Sequence, residues 1–67
     1  MNTIFRDILL TSGMKITPQR IAMLEAINKL HDHPKAEEII EYVKKNYPNV
    51  AIGTVYKTLE TFVQKGI

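Results

Sequence analysis

Sixty-seven residues with 45% hydrophobic content and a formal net charge of +2 make one small domain, short enough that only about 60% of its unfolded surface can be buried. The absence of cysteine excludes disulfide staples and thiolate metal sites. No apolar run approaches the ~20 residues that span a membrane, and the opening MNTIFRDILL carries a charge pair inside its apolar stretch, which makes it a poor signal peptide.

In chain order, Ile4, Phe5, Ile8 and Leu9 repeat at helical spacing after Thr3, a candidate cap, and Gly13 is the natural stop for this first helix. Met14 to Ile16 form a connector. Thr17-Pro18-Gln19-Arg20 then reads as a strong helix start, because Thr17 can cap and Pro18 suits the first helical position. Met23, Leu24, Ile27 and Leu30 supply the second helix's apolar stripe, and His31-Asp32-His33-Pro34 breaks it. The third helix has Ala36, Ile39, Ile40, Val43 and Tyr47 on one face, with Glu37 and Glu38 in its first turn and Lys44 and Lys45 in its last, the order that suits the helix dipole. Tyr47-Pro48-Asn49 ends it.

The fourth helix is predicted at about 52–65. Ile52, Val55, Tyr56, Leu59, Phe62 and Val63 share roughly a third of its circumference, and Gly66 follows as a left-handed cap. Its other face has Gly53, Thr54, Lys57 and Thr58 near the start. Small residues, hydroxyls and a cation there can approach a phosphate backbone and base edges, or the face is simply solvated. Tyr56, at the edge of the arc, either seals the core or turns its ring edge and hydroxyl outward. The expected architecture is all-α, four helices with short connections, the last two forming a helix-turn-helix unit.

Charge is segregated along the chain. Glu25, Asp32, Glu37, Glu38 and Glu41 put five of the seven acids in the middle, with Lys15 and Arg20 before them and Lys44, Lys45, Lys57 and Lys65 after. Bringing the basic ends together would give one basic face. Lys15 lies on a connector, with no helix to decorate. Arg20 can instead brace the core through its stem. Catalysis has no support: there is no cysteine nucleophile and no glycine-rich phosphate loop, and the helix dipole accounts for the paired Glu37 and Glu38. A lone His before Pro, as at His33, is ordinarily a turn residue.

Four motifs in order carry a family resemblance: Gly13-Met14-Lys15-Ile16-Thr17-Pro18-Gln19-Arg20, His33-Pro34-Lys35-Ala36-Glu37-Glu38-Ile39, Tyr47-Pro48-Asn49-Val50, and Thr54-Val55-Tyr56-Lys57-Thr58-Leu59 with Lys65-Gly66 after it. Together they make the chain resemble the N-terminal DNA-binding domain of the ferric uptake regulator family of bacterial metal- and peroxide-responsive repressors, which includes peroxide and zinc uptake regulators. The resemblance implies a winged-helix-type domain without its β wing, spanning 1–67 as a fragment of a longer cytoplasmic regulator. It implies a fourth helix in the major groove of double-stranded, A/T-rich operator DNA, and a homodimer formed through an absent C-terminal domain.

Carried over by position, Tyr56 and Lys57 match the family's recognition-helix contacts, Lys15 a residue that enters an A/T-rich minor groove, and Arg20 a residue that contacts phosphates or supports such contact. His33 matches a histidine that reaches the regulatory metal (iron, manganese or zinc) together with the absent domain; no cofactor is expected in the fragment itself. Two positions depart from the family. Ala51 stands where a capping Ser is common, which costs about 1 kcal/mol, and Gly53 stands where Ala is usual. The alternative from another class is a winged-helix-like protein–protein interaction module, which predicts an apolar outward face on the fourth helix.

Overall fold

A computed structural model of the chain describes residues 3–30 and 34–67. The described residues form four helices and no strand: α1 (Thr3–Thr11), α2 (Pro18–Lys29), α3 (Ala36–Asn46) and α4 (Ile52–Gln64). The first helix includes Thr3 in its run instead of using it as the preceding cap. His31, Asp32 and His33 lie outside the described residues.

Local chemistry fixes the helix ends. After α1, Gly13 takes φ 74°. The Met14 N–H then donates to the Leu9 carbonyl at 2.9 Å and the Gly13 N–H to the Leu10 carbonyl at 3.1 Å, the paired bonds of a Schellman cap. Its hydrophobic contact is present too, since Leu9 and Met14 are both buried in the core. The same device closes α4: Gly66 has φ 74°, Ile67 N–H donates to the Phe62 carbonyl at 2.9 Å and Gly66 N–H to that of Val63 at 3.1 Å. At the start of α2, Thr17 Oγ1 accepts the Arg20 N–H at 3.1 Å, with Pro18 following. At the start of α3, Glu38 Oε1 accepts the Lys35 N–H at 3.1 Å. The acids in that helix's first turn and the lysines in its last oppose the dipole at both ends.

The core is built around α2, which packs against α1 and most extensively against α3, while α4 packs on α3. Because α2 is covered from two sides, its buried residues, Ala22, Met23, Leu24 and Ala26, spread beyond one stripe. The expected stripe lies in or against the core, and the buried surface extends beyond it. Met23 and Leu24 are buried, Ile27 and Leu30 are partly covered, and two alanines join the interior. Small side chains at such positions let neighbouring helices approach closely. On α3, Ile39, Ile40 and Val43 face inward as the periodicity predicts.

The fourth helix differs most from its sequence pattern. Val55, Thr58 and Phe62 are buried and Leu59 is partly buried, whereas Ile52, Tyr56 and Val63 are exposed. The buried stripe is thus rotated by roughly 50° from the centre of the apolar arc, counting 100° per residue, and it takes in Thr58. That hydroxyl is not orphaned, because it donates to the Thr54 carbonyl one turn back at 2.8 Å. Satisfying the donor inside its own helix lets a threonine sit where an aliphatic residue would otherwise be required.

The glycines give a direct check on this backbone. A Cβ at Gly53 meets nothing within 4 Å, so Gly53→Ala is expected to stabilise the chain by ~0.5–1 kcal/mol. Gly13, at φ 74°, is the opposite case: Gly13→Ala is expected to destabilise it by ~1–2 kcal/mol through the left-handed backbone alone. Thermal melts of the two variants beside the unmodified chain measure both, and equal melting points for all three would contradict the assigned cap and helix start.

Candidate nucleic-acid interface

Two segments converge where α2 and α4 begin. The connector from Met14 to Thr17 is pinned at one end by the Schellman cap with the buried Met14 side chain, and at the other by Thr17 as the cap of α2. Lys15 lies between these anchors and is exposed. Its carbonyl accepts a hydrogen bond from Arg20 Nη1 at 2.9 Å, so the Arg20 guanidinium reaches back over the first turn of its own helix. Arg20 is partly buried, which agrees with a stem laid against the fold and a head held at the surface.

An open groove of ≈ 370 Å³ separates this connector from the start of α4. Thr17, Gln19 and Arg20 form its α2 side; Asn49, Ala51 and Thr54 are among those on the other, and Thr58 also lines it. Sequence reasoning missed Gln19 and Asn49. Both are exposed polar residues beside a helix start, and their only sequence signal is that proximity.

On α4 the exposed residues Gly53, Thr54 and Lys57 follow one another around its first turn and a half. Thr54 and Lys57 are three residues apart and so neighbours on one face. Tyr56 is 44% exposed, so part of its side chain is at the surface beside that face. Thr58 is corrected. Buried at 9% exposure, with its hydroxyl hydrogen committed to the Thr54 carbonyl, it is not on the outward face. Ala51 provides no side-chain acceptor to the first turn of α4, so this helix starts without the cap that α2 enjoys. Arg20 and Thr54 therefore line the groove, while Lys15 is exposed on the connector and Tyr56 and Lys57 are exposed on α4.

The exposed Ile52, Tyr56 and Val63 form a second line along α4, flanking the polar one. Among the described residues no group of three or more His, Cys, Asp or Glu is placed to hold a metal ion, and no helix is long and apolar enough to cross a membrane. His33, singled out as a metal ligand, falls outside the described residues.

Residues 11–67 match the ferric uptake regulator family. Among curated proteins, the chain is similar to the peroxide-responsive repressor PerR of Staphylococcus saprophyticus, with 39% identity over 59 residues, 88% of this chain and 40% of that protein. It is equally similar to the peroxide-responsive repressor PerR of Staphylococcus aureus, 39% identical over 56 residues, 84% of this chain and 38% of the other. The chain thus spans about two fifths of the length of these relatives. No solved structure matches it significantly. With the family match running from the end of α1 through the whole of α4, the chain belongs to the ferric uptake regulator family.

Proposed function

We propose that the chain is the DNA-binding part of a metal- or peroxide-responsive transcriptional repressor, and that α4 is its recognition helix. The observation that carries this reading is one groove lined by Arg20 and by Thr54: Arg20 is bonded to the Lys15 carbonyl of the connector, and Thr54 shares its helix face with the exposed Lys57. In this reading Lys57 and Tyr56 address base edges in the major groove, where a cation can donate to guanine acceptors and an aromatic edge can meet a thymine methyl. Lys15 enters an adjacent A/T-rich minor groove, which attracts basic side chains by its negative potential. Arg20 and Thr54 hold the phosphates between the two, contacts that fix register without reading sequence. Thr58 supports α4 from within and makes no contact of its own.

The name of the relatives as peroxide-responsive repressors supports the regulatory half of this proposal. Homodimerisation and metal binding belong to the longer protein. The metal reading of this chain rests on His33, which the resemblance singles out, and one imidazole is not a site, so no step is assigned to a metal here. Membership in a family of regulators leaves the acids of α3 with the helix-end role that the dipole gives them. The line of Ile52, Tyr56 and Val63 is the one observation that favours a protein-interaction module. It flanks the polar face without replacing it, and the relatives are not named for a protein partner.

Three outcomes test the proposal. First, the isolated chain should bind A/T-rich duplex with a dissociation constant on the order of 10⁻⁴–10⁻⁶ M at physiological salt. A fluorescence-anisotropy titration at two salt concentrations measures it; no binding at low salt would remove the proposed function. Tight binding at both salts would mean that this chain carries a dimer interface of its own. Second, Lys57→Ala should lower affinity for the preferred duplex by ~1–3 kcal/mol and relax preference at one base pair. Equal loss on every sequence would reduce Lys57 to a phosphate contact. Third, His33→Ala in this chain should leave DNA affinity the same with and without added Fe²⁺, Mn²⁺ or Zn²⁺; a metal-dependent difference between variant and parent would show that the histidine acts without the rest of the protein.

A further inference from the structure

We infer that Arg20 is a positioning residue for Lys15, holding the connector so that the lysine is presented to DNA at a fixed place beside α4. This rests on the proposed DNA reading, in which Lys15 and Arg20 otherwise figure as two separate contacts.

The connector is anchored at both ends. Met14 is anchored by its N–H on the Leu9 carbonyl and by its buried side chain, and Thr17 by its place as the cap of α2. Between them Lys15 and Ile16 are both exposed, Ile16 at 37%. The bond from Arg20 Nη1 to the Lys15 carbonyl, at 2.9 Å, ties the centre of this bridge to the first turn of α2. Arg20 is itself fixed at that turn, because its backbone N–H donates to Thr17 Oγ1 at 3.1 Å. Main chain and side chain of one residue thus close the connector onto the helix from both directions.

The chemistry of the side chain suits a double task. A guanidinium carries five N–H donors in a rigid plane. One direction of the fork serves the Lys15 carbonyl, and the same group lines the groove that it shares with Ala51 and Thr54 at the start of α4. A phosphate seated in that groove would meet a cation already immobilised by the connector. Engagement of α4 and placement of Lys15 would then be coupled through one planar group. A lysine at position 20 would offer a point charge on a flexible stem, without that geometry.

The test is a double-mutant cycle on DNA together with a measurement on the free chain. Lys15→Ala, Arg20→Gln and the double variant are titrated with A/T-rich duplex at low salt, with circular dichroism confirming the helical fold. Any non-proline residue at position 20 keeps the backbone bond to Thr17, and Arg20→Ala is the second variant should the glutamine form melt early. If Arg20 positions Lys15, the factor by which Arg20→Gln weakens binding should be at least about threefold smaller in the Lys15→Ala background, beyond the scatter expected of independent sites. In the free chain, the ¹⁵N–{¹H} NOE of the Ile16 amide should fall in Arg20→Gln while those of α2 stay unchanged. Equal factors in the two backgrounds, or an unchanged Ile16 NOE, would overturn the inference and leave Arg20 a simple phosphate contact. Should Lys15→Ala bind DNA as the parent does, the DNA reading of Lys15 itself fails and the positioning role with it, while the NOE still decides whether the clamp exists.

Discussion

The burial of α2 is the constraint on which the rest of this molecule depends. A chain of this length has one modest core, and α2 joins α1 to α3 within it, as α3 in turn carries α4. Met23 at 2% exposure and Ala26 at 0% are among its most deeply buried residues. Filling that space commits α1 to one flank and α3 to the other. It also fixes where α2 begins, and the connector that enters at Thr17 therefore arrives at a defined point on the surface. The position of Lys15 follows from the packing of residues far from it in chemistry but next to it in chain.

Helix ends divide into those that stabilise and those that face outward. The ends of α1 and α4 are closed by glycines in left-handed backbone and by the paired backbone bonds that follow them. The starts of α2 and α3 are satisfied by Thr17 and Glu38. The start of α4 has no side-chain acceptor from its cap residue Ala51, and within its first turn lies Gly53, an exposed glycine with open space around it. An uncapped start and an interior glycine each cost a small amount of helix stability. Local rules are broken together at the helix start that also borders the groove, which is where functional demands commonly override them.

Charge acts here through its arrangement more than its sum. A net charge of +2 is too small to argue for a nucleic-acid partner on its own. The acids of α3's first turn are absorbed by its dipole, and Lys45 lies 5.9 Å from the centre of the Tyr42 ring, within range of a weak cation–π attraction. Lys15, Arg20 and Lys57 carry charge to the surface on and beside α2 and α4. They belong to three different stretches of chain that only the packed bundle brings to one side.

Reading the residues alone determined much of this. Helix starts and stops were legible because Thr17-Pro18, Gly13 and Gly66 act through their own backbone geometry and need no partner. The inward face of α3 was legible because Ile39, Ile40 and Val43 leave its other sides to charge. Tertiary structure decided what local pattern leaves degenerate. The apolar arc of α4 was wide enough to dock in more than one rotation, and contact with α3 chose the one that buries Thr58 and exposes Tyr56, since a hydroxyl bonded to its own helix can be buried at little cost. The broad burial of α2 was likewise hidden, because alanines become core residues only when two helices close on them. The bond from Arg20 to the Lys15 carbonyl was equally out of reach: a side chain five residues away can turn to solvent, to core or back along the chain, and only the fixed bend between connector and helix selects the last.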